Sequence, residues 1–388
     1  MNKIKLLTPI ILAVLASCSS KESSESSSTT SSGKISYELD TVMVDAGDEI
    51  IYINRNLTTS DISADEKYFY NFKTGSNEPG LEIIDLENLK LERVIPMSMD
   101  GPNAIRSPYM SDVYSLPDGR FYLSDSYELY LFDQEGTKLS SLTFANHEFE
   151  GENLPEEFRI GLDQVLDREN KRVLTLYADQ KLEKAPLGIA VFDLEKEQFS
   201  YKPMPALKEM EKYRINFYID GNPMGAMFSN FELMPKNDTL ILSNSGSNEL
   251  FFYNLKTDSL SSKAYSSQYT SFEITRTFPE RVDSEPEYRD LVKETQKNVR
   301  YGPLIFDEKQ EVYWRFTKEM DRMKGDTIVH KTVLTAFDQN FDQLSEALLP
   351  EEYVLTYKFF MRDGMIYSFL NIDDEVAFVR LKPTLSYE

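Results

Sequence analysis

Five segments of the chain share one pattern: an apolar residue, two positions of any kind, an aromatic residue or Ile, then Asp or Asn, and six residues later another apolar residue. They are Leu81 with Ile84-Asp85 and Leu91, Leu129 with Phe132-Asp133 and Leu139, Ile189 with Phe192-Asp193 and Phe199, Leu250 with Tyr253-Asn254 and Leu260, and Leu334 with Phe337-Asp338 and Leu344. Each predicts a β-hairpin, because the stretch before the Asp or Asn alternates or runs apolar, and a short polar side chain there can bond its own backbone to start a turn. Aromatic and branched runs at 120–124, 172–177, 239–243 and 312–316 add a preceding strand to most units. Three or four strands per unit define a propeller blade. The anchors are 48, 60, 61 and 84 residues apart, wider than the roughly 40–50 of a plain blade, so the repeat carries insertions.

Residues 364–370 and 376–381 form part of a sixth unit with no outer strand after it. Residues 35–45 form an orphan strand at the other end, and an N-terminal strand placed on the last unit leaves no bare edge at the junction. The expected fold is therefore an all-β, six-bladed propeller, residues 35–388, closed by its N-terminal strand. Insertions at 151–162, 205–228 and 266–302 fall between the outer strand of one unit and the inner strand of the next, connections that share one face. One of them predicts a helix over 284–299, with Ser284 as N-cap and Tyr288, Leu291, Val292 and Val299 in a stripe against the propeller. Alternation in Tyr313-Trp314-Arg315-Phe316 puts the one tryptophan on the same face as Phe316, in buried packing between blades.

The first residues follow a different logic. Lys3 and Lys5 precede a short apolar run, 6–16, and Leu15-Ala16-Ser17-Cys18 places small residues before a cysteine, so 1–17 reads as a cleaved signal. The apolar run is shorter than the ~20 residues that cross a bilayer. Residues 18–34 are rich in Ser and Thr and have no apolar side chain to bury beyond Cys18, which predicts a flexible tether. The motif resembles that of bacterial lipoproteins, and the resemblance implies that Cys18 carries the lipid and holds the chain to a membrane. Lys21-Glu22 with Glu25 faintly resembles surface-export signals. The expected location is the outer membrane, with its periplasmic and cell-surface faces both open.

Charge narrows the partners. The formal net charge is -23, which opposes nucleic acid and anionic lipid surfaces. Cys18 is the only cysteine, so once lipidated it leaves no disulfide, thiolate nucleophile or cysteine-ligated metal. His147 and His330 are the only imidazoles and fall in different units, where each is expected to be an ordinary loop histidine. No nucleophile elbow, phosphate-cradling glycine loop or complete EF-hand is present, and the acidic stretches 338–342 and 373–375 read as solvated turns. No cofactor or metal is expected.

The lipobox, the serine-rich tether, the stretch Asp100-Gly101-Pro102-Asn103 and Tyr313-Trp314-Arg315-Phe316 together resemble an uncharacterised family of Gram-negative lipoproteins with a TolB-like six-bladed propeller. That resemblance implies fold and location and brings no catalytic residues with it. The function expected is binding of a ligand or envelope protein through the loop-decorated face, since loops on a rigid scaffold often carry recognition. The alternative is a hydrolase or lyase acting on a glycan or lactone with channel carboxylates. Four connections place an Arg after an apolar residue shortly before an inner strand: Arg106, Arg159, Arg214 and Arg300. With Asn103 they are the candidate site for an anionic small molecule, glycan or acidic peptide, because a guanidinium presents a fork of donors matched to carboxylate or phosphate.

Overall fold

The computed structural model describes residues 33–387 except 182–183, 228–229, 276–277, 354 and 356–357. The signal, Cys18 and the tether up to residue 32 lie outside the described residues. All five anchor residues start their turns as the pattern requires. Asp85 accepts from the amides of Glu87 and Asn88, Asp133 from Glu135 and Thr137, and Asp193 from Glu195 and Lys196. Asn254 does the same for Lys256 and Thr257, and Asp338 for Asn340 and Asp342.

Each hairpin is the outer half of a small antiparallel sheet. The first sheet holds Ser60–Ile62, Tyr68–Phe72, Gly80–Asp85 and Lys90–Pro96, and the second Asp112–Ser115, Phe121–Ser124, Glu128–Phe132 and Lys138–Thr143. The third holds Phe158–Asp167, Arg172–Asp179, Gly188–Asp193 and Gln198–Pro203, and the fourth Phe231–Lys236, Thr239–Asn244, Glu249–Asn254 and Ser259–Ala264. The fifth holds Arg300–Asp307, Val312–Lys324, Thr327–Phe337 and Gln343–Leu348. Phe359–Arg362, Met365–Ile372 and Glu375–Tyr387 form the sixth, and strand β1, Gly33–Met43, is its fourth member. β1 pairs with Glu375–Tyr387 in an unbroken antiparallel ladder from Gly33 opposite Tyr387 to Met43 opposite Ala377. It begins two residues before the expected start at 35.

The arrangement is propeller-like. Six hydrophobic clusters of the described residues each lie between two neighbouring sheets. Phe72 and Leu81 of the first sheet meet Leu123 and Phe132 of the second, for instance, and Ile84 of the first meets Phe369 and Phe378 of the sixth. Polar contacts join the sixth to the first as well: Arg362 donates to the carbonyls of Glu66 and Leu86. Trp314 is fully buried with Phe316 between the fifth and sixth sheets, as alternation predicts.

The insertions depart from expectation in two ways. Residues 151–162 are not a face decoration: Glu150–Gly151 pairs in parallel with the outer edge of the third sheet, and the inner strand already begins at Phe158. The helix α1 spans Glu285–Thr295 and buries none of its residues fully. Instead of lying in the propeller core, Tyr288 stacks on Phe217 with ring centroids 4.3 Å apart. Phe217 belongs to Ile215–Ile219, which pairs with Asn222–Met227 and Arg281–Val282. The second and third insertions thus build one small unit of three strands and a helix, and α1 covers that unit.

Candidate ligand-binding site

The innermost strands bring charge together. Asp61, Asp112, Asp163, Glu232 and Arg300 stand on the innermost strands of the first to fifth sheets, and Lys358 directly precedes that of the sixth. Two cavities lie among them. One, of about 460 Å³, is bounded by the second, third and fourth sheets and includes Asp112, Asp163 and Glu232. The other, of about 400 Å³, is bounded by the fourth, fifth and sixth and includes Glu232, Asn298, Arg300, Lys318, His330 and Phe359. Asn230 and Glu232 line both, so the two cavities meet there.

Local irregularity shapes these walls. The ladder of Phe158–Asp167 shifts register between Ile160 and Gln164, next to Asp163, and that of Arg300–Asp307 shifts between Tyr301 and Leu304, next to Gly302 and Pro303. Such bulges commonly re-aim side chains beside a site, and a strand tolerates Pro where the ladder is interrupted.

The acidic side is short of counter-charge. Burial pushes the Asp112 carboxyl up to about 7, with Asp163 and Asp61 adding repulsion and Lys358 opposing it. Glu232 also rises to about 7, first through burial and then through Asp163 and Asp112. Burial raises the Asp163 carboxyl as well, although both Glu232 and Asp163 keep some surface open to the cavity. Desolvation lowers Lys358, although Asp61, Asp112 and Glu232 all favour its charge. Its ammonium also donates to the carbonyl of Ser60 at 2.6 Å. Asp61 accepts from the amide and hydroxyl of Ser115 at 2.7 and 2.8 Å and pairs with Arg168.

A carboxyl raised in the folded state stabilises the fold below its ordinary value of 3.8, and that contribution is lost as pH climbs through about 7. Replacing Asp112 with Asn is therefore expected to raise the melting temperature at pH 8 and to leave it nearly unchanged near pH 4. The full shift corresponds to about 4 kcal/mol, and cavity solvent reduces it to on the order of 1–2 kcal/mol. Calorimetry across that pH range checks it; a gain that is the same at both ends would refute the desolvation account.

The cationic side has the opposite deficit. Arg300 and Lys318 are direct cross-strand partners, a placement in which like charges destabilise a sheet. Among the described residues neither has a carboxylate partner. Burial lowers the Lys318 ammonium, and Arg300 lowers it further. His330, expected to be an ordinary loop histidine, lines this cavity and shares a hydrogen bond of 2.9 Å between Nε2 and the Gln296 carbonyl. Asn298 is 6 % exposed and its amide nitrogen has no hydrogen-bond partner among the described residues.

The other candidate residues take different positions. Arg106 is exposed, lies 3.9 Å over the Tyr127 ring and sits 3.8 Å from Asp125. Asn103 accepts from the Lys138 amide, tying the connection between the first and second sheets to the outer strand of the second. Arg214 donates to Asn216 at 2.9 Å and to the Lys184 carbonyl at 3.2 Å. Arg159 is half-buried opposite Ala178. Arg300 alone of these five lines the cavities described above. The other histidine, His147, is packed against Phe199 and Phe192 at 4.5 and 5.1 Å.

Sequence reasoning missed Asp112, Asp163, Glu232, Lys318 and Lys358. The available signal was a charged residue at or just before an apolar inner-strand run, as in Asp112-Val113 and Glu232-Leu233. Among the described residues no group of three Asp, Glu, His or Cys side chains is placed to hold a metal ion.

Residues 32–348 match the profile of DUF4221, a domain of unknown function, and the chain belongs to that family. Its fold is similar to the crystal structure of a DUF4221 member from Bacteroides vulgatus, with a TM-score of 0.65 and 13% identity, over 92% of this chain and 100% of the other. It is also similar to a Bacteroides fragilis protein described as exported, with a TM-score of 0.50 and 10% identity, over 90% and 95% of the two chains. No curated protein matches. Among the described residues no helix is long and apolar enough to cross a membrane.

Proposed function

We propose that the protein is a lipid-anchored, exported six-bladed propeller that binds a small anionic ligand in its central cavity, at the face carrying the insertions, without transforming it. The observation that carries the reading is the placement of Arg300 directly opposite Lys318 on the cavity wall with no acidic partner among the described residues. In a chain with 65 acidic residues against 42 basic ones, two facing cations without a carboxylate partner among the described residues make a positive spot that an anion would complete. An arginine fork and a partly desolvated ammonium suit a carboxylate or phosphate, and the exposed Arg300 guanidinium is accessible to one entering the cavity. The ring of inter-sheet contacts and the terminal strand pairing support six blades closed by β1.

The test is binding of an acid sugar such as D-glucuronate by calorimetry. Changing Arg300 and Lys318 to Gln together is expected to abolish the heat of binding and to leave the melting temperature equal or higher, because a repulsive pair is removed. A fall in melting temperature with binding retained would assign the pair a structural role. Anchoring is tested separately: Cys18→Ser is expected to move the protein from the membrane fraction to the soluble fraction, since an acidic domain has no attraction to anionic lipid. Retention in the membrane would remove the lipoprotein reading.

A second reading has one observation in its favour. Asp112 and Glu232 both titrate near neutrality in one cavity, the condition under which two carboxyls can act as acid and base on a glycan or lactone. Turnover of such a substrate that is lost in Glu232→Gln would replace binding with hydrolysis.

A further inference from the structure

We infer that the ligand is dipolar: a small hydroxylated molecule that presents an acid group to Arg300 and Lys318 and an ammonium group to the wall of Asp112, Asp163 and Glu232. The inference rests on reading the central cavity as an anion site and adds the second charge. Its basis is that the two deficits of charge share one space. Glu232 lines the same cavity as Arg300 and Lys318 and also the cavity of Asp112 and Asp163. Among the described residues no ion pair joins Glu232 to Arg300 or Lys318 across it, and the cation that bears on Glu232 and Asp112 is Lys358. Lys358 is itself divided, with Asp61 the largest favourable influence on its charge. Asp112 and Glu232 therefore share one ammonium with Asp61, and Asp163 adds a further buried carboxyl to that wall, while Arg300 and Lys318 have no carboxylate partner among the described residues.

A ligand bearing only an acid group would place it in a cavity that Glu232 also lines. One bearing only an amine would face Arg300 and Lys318. A molecule with both groups removes both repulsions at once. Asn298, which lines the cavity with Arg300 and Glu232, holds a buried amide nitrogen with no partner among the described residues. Asn230, Ser245 and Gln296 add neutral donors and acceptors, and Phe359 adds an apolar surface. Amides beside an apolar wall suit a hydroxylated ring, since each hydroxyl both donates and accepts and a buried polar group is expensive to leave unmatched.

The experiment titrates the lipidated chain in detergent, at pH 7, with D-glucuronate, D-glucosamine, 2-amino-2-deoxy-D-glucuronate and the N-acetylated form of the last. The aminated acid is expected to bind at least about tenfold more tightly than glucuronate, equivalent to about 1.4 kcal/mol, and N-acetylation is expected to erase that gain. Glu232→Gln should erase the gain too, bringing the aminated acid and glucuronate to equal affinity, whereas Arg300→Gln should weaken both acids. If glucuronate binds through Arg300 and the amine adds nothing, the dipolar inference is overturned and the anion site stands. If glucosamine binds independently of Arg300 and the acids do not, the cavity is a cation site and both fall. Absence of binding by every acid-bearing probe overturns the anion site and the inference with it.

Discussion

Deletion of residues 33–43 is expected to abolish cooperative unfolding of the protein at temperatures where the full chain is native. β1 pairs along its whole length with Glu375–Tyr387, and those pairs are the sixth sheet's outer edge. Removing it leaves a long strand with bare amides and carbonyls, an arrangement that invites aggregation. The damage extends past the backbone. Ile35 belongs to the cluster that holds Trp314, Leu334, Ile366 and Leu381 between the fifth and sixth sheets, and Val42 packs on the cluster between the sixth and first. Asp40 pairs with Arg380, and Ser345 on the fifth sheet donates to the Gly33 carbonyl. One strand thus contributes to two junctions between neighbouring sheets, and its loss weakens both. The expected loss is comparable with the ~5–15 kcal/mol that stabilises an ordinary domain. Deleting residues 20–32 is expected to leave the melting temperature unchanged, because such a polar stretch has no apolar surface to bury. Calorimetry of the two deletions side by side decides the matter: equal tolerance of both would refute closure by β1.

The elements legible in the sequence were those fixed by local chemistry. An Asp or Asn that binds its own downstream amides specifies a turn wherever it stands, so all five hairpins were found, and the missing outer strand of the sixth unit pointed to residues near 35. What required tertiary knowledge was not legible. Asp112, Asp163, Glu232 and Lys358 are scattered over more than two hundred residues of an acidic chain, and only the convergence of inner strands makes them neighbours. The helix stripe of Tyr288, Leu291 and Val292 is visible in the sequence, but Tyr288's partner is Phe217 in a different insertion, which no periodicity within the helix reveals. Arg315 is the clearest case. Alternation placed Trp314 and Phe316 on one buried face and left Arg315 on the other, where a charged residue normally meets water. In stacked sheets the second face is covered as well. Arg315 is 1 % exposed, surrounded by the rings of Tyr265, Tyr301 and Phe337 and bonded to Asn248 in a turn between strands of the fourth sheet. Burial brings its guanidinium down to about 10.

Trp314→Ala is expected to destabilise the protein by about 3–5 kcal/mol, the range for removing a large aromatic side chain from a core, and Trp314→Phe by about 1–2 kcal/mol. The two differ because Trp314 has two roles. Its ring is fully buried beside Ile305, Leu334 and Ile366, so Ala leaves a cavity that rigid strands on both sides cannot close. Phe fills most of that volume and removes only the indole N–H, which donates to Asp307 at 3.3 Å. Asp307 is fully buried and accepts in addition from Gln310 Nε2 at 2.8 Å and from the amides of Lys309 and Gln310. Gln310 Nε2 also reaches the Pro383 carbonyl at 2.9 Å, and its side-chain oxygen accepts from the Leu385 amide. The indole therefore helps hold a carboxylate that orients Gln310, and Gln310 links the fifth sheet to the strand that pairs with β1. Loss of one of several donors to a buried carboxylate costs about as much as one charge-assisted hydrogen bond. Urea denaturation should show the ordering directly, with both variants shifting the midpoint and Ala shifting it further. Equal losses for Phe and Ala would mean that the hydrogen bond outweighs the packing. Asp307→Asn would then be expected to match them, because it weakens the same contacts without touching the ring.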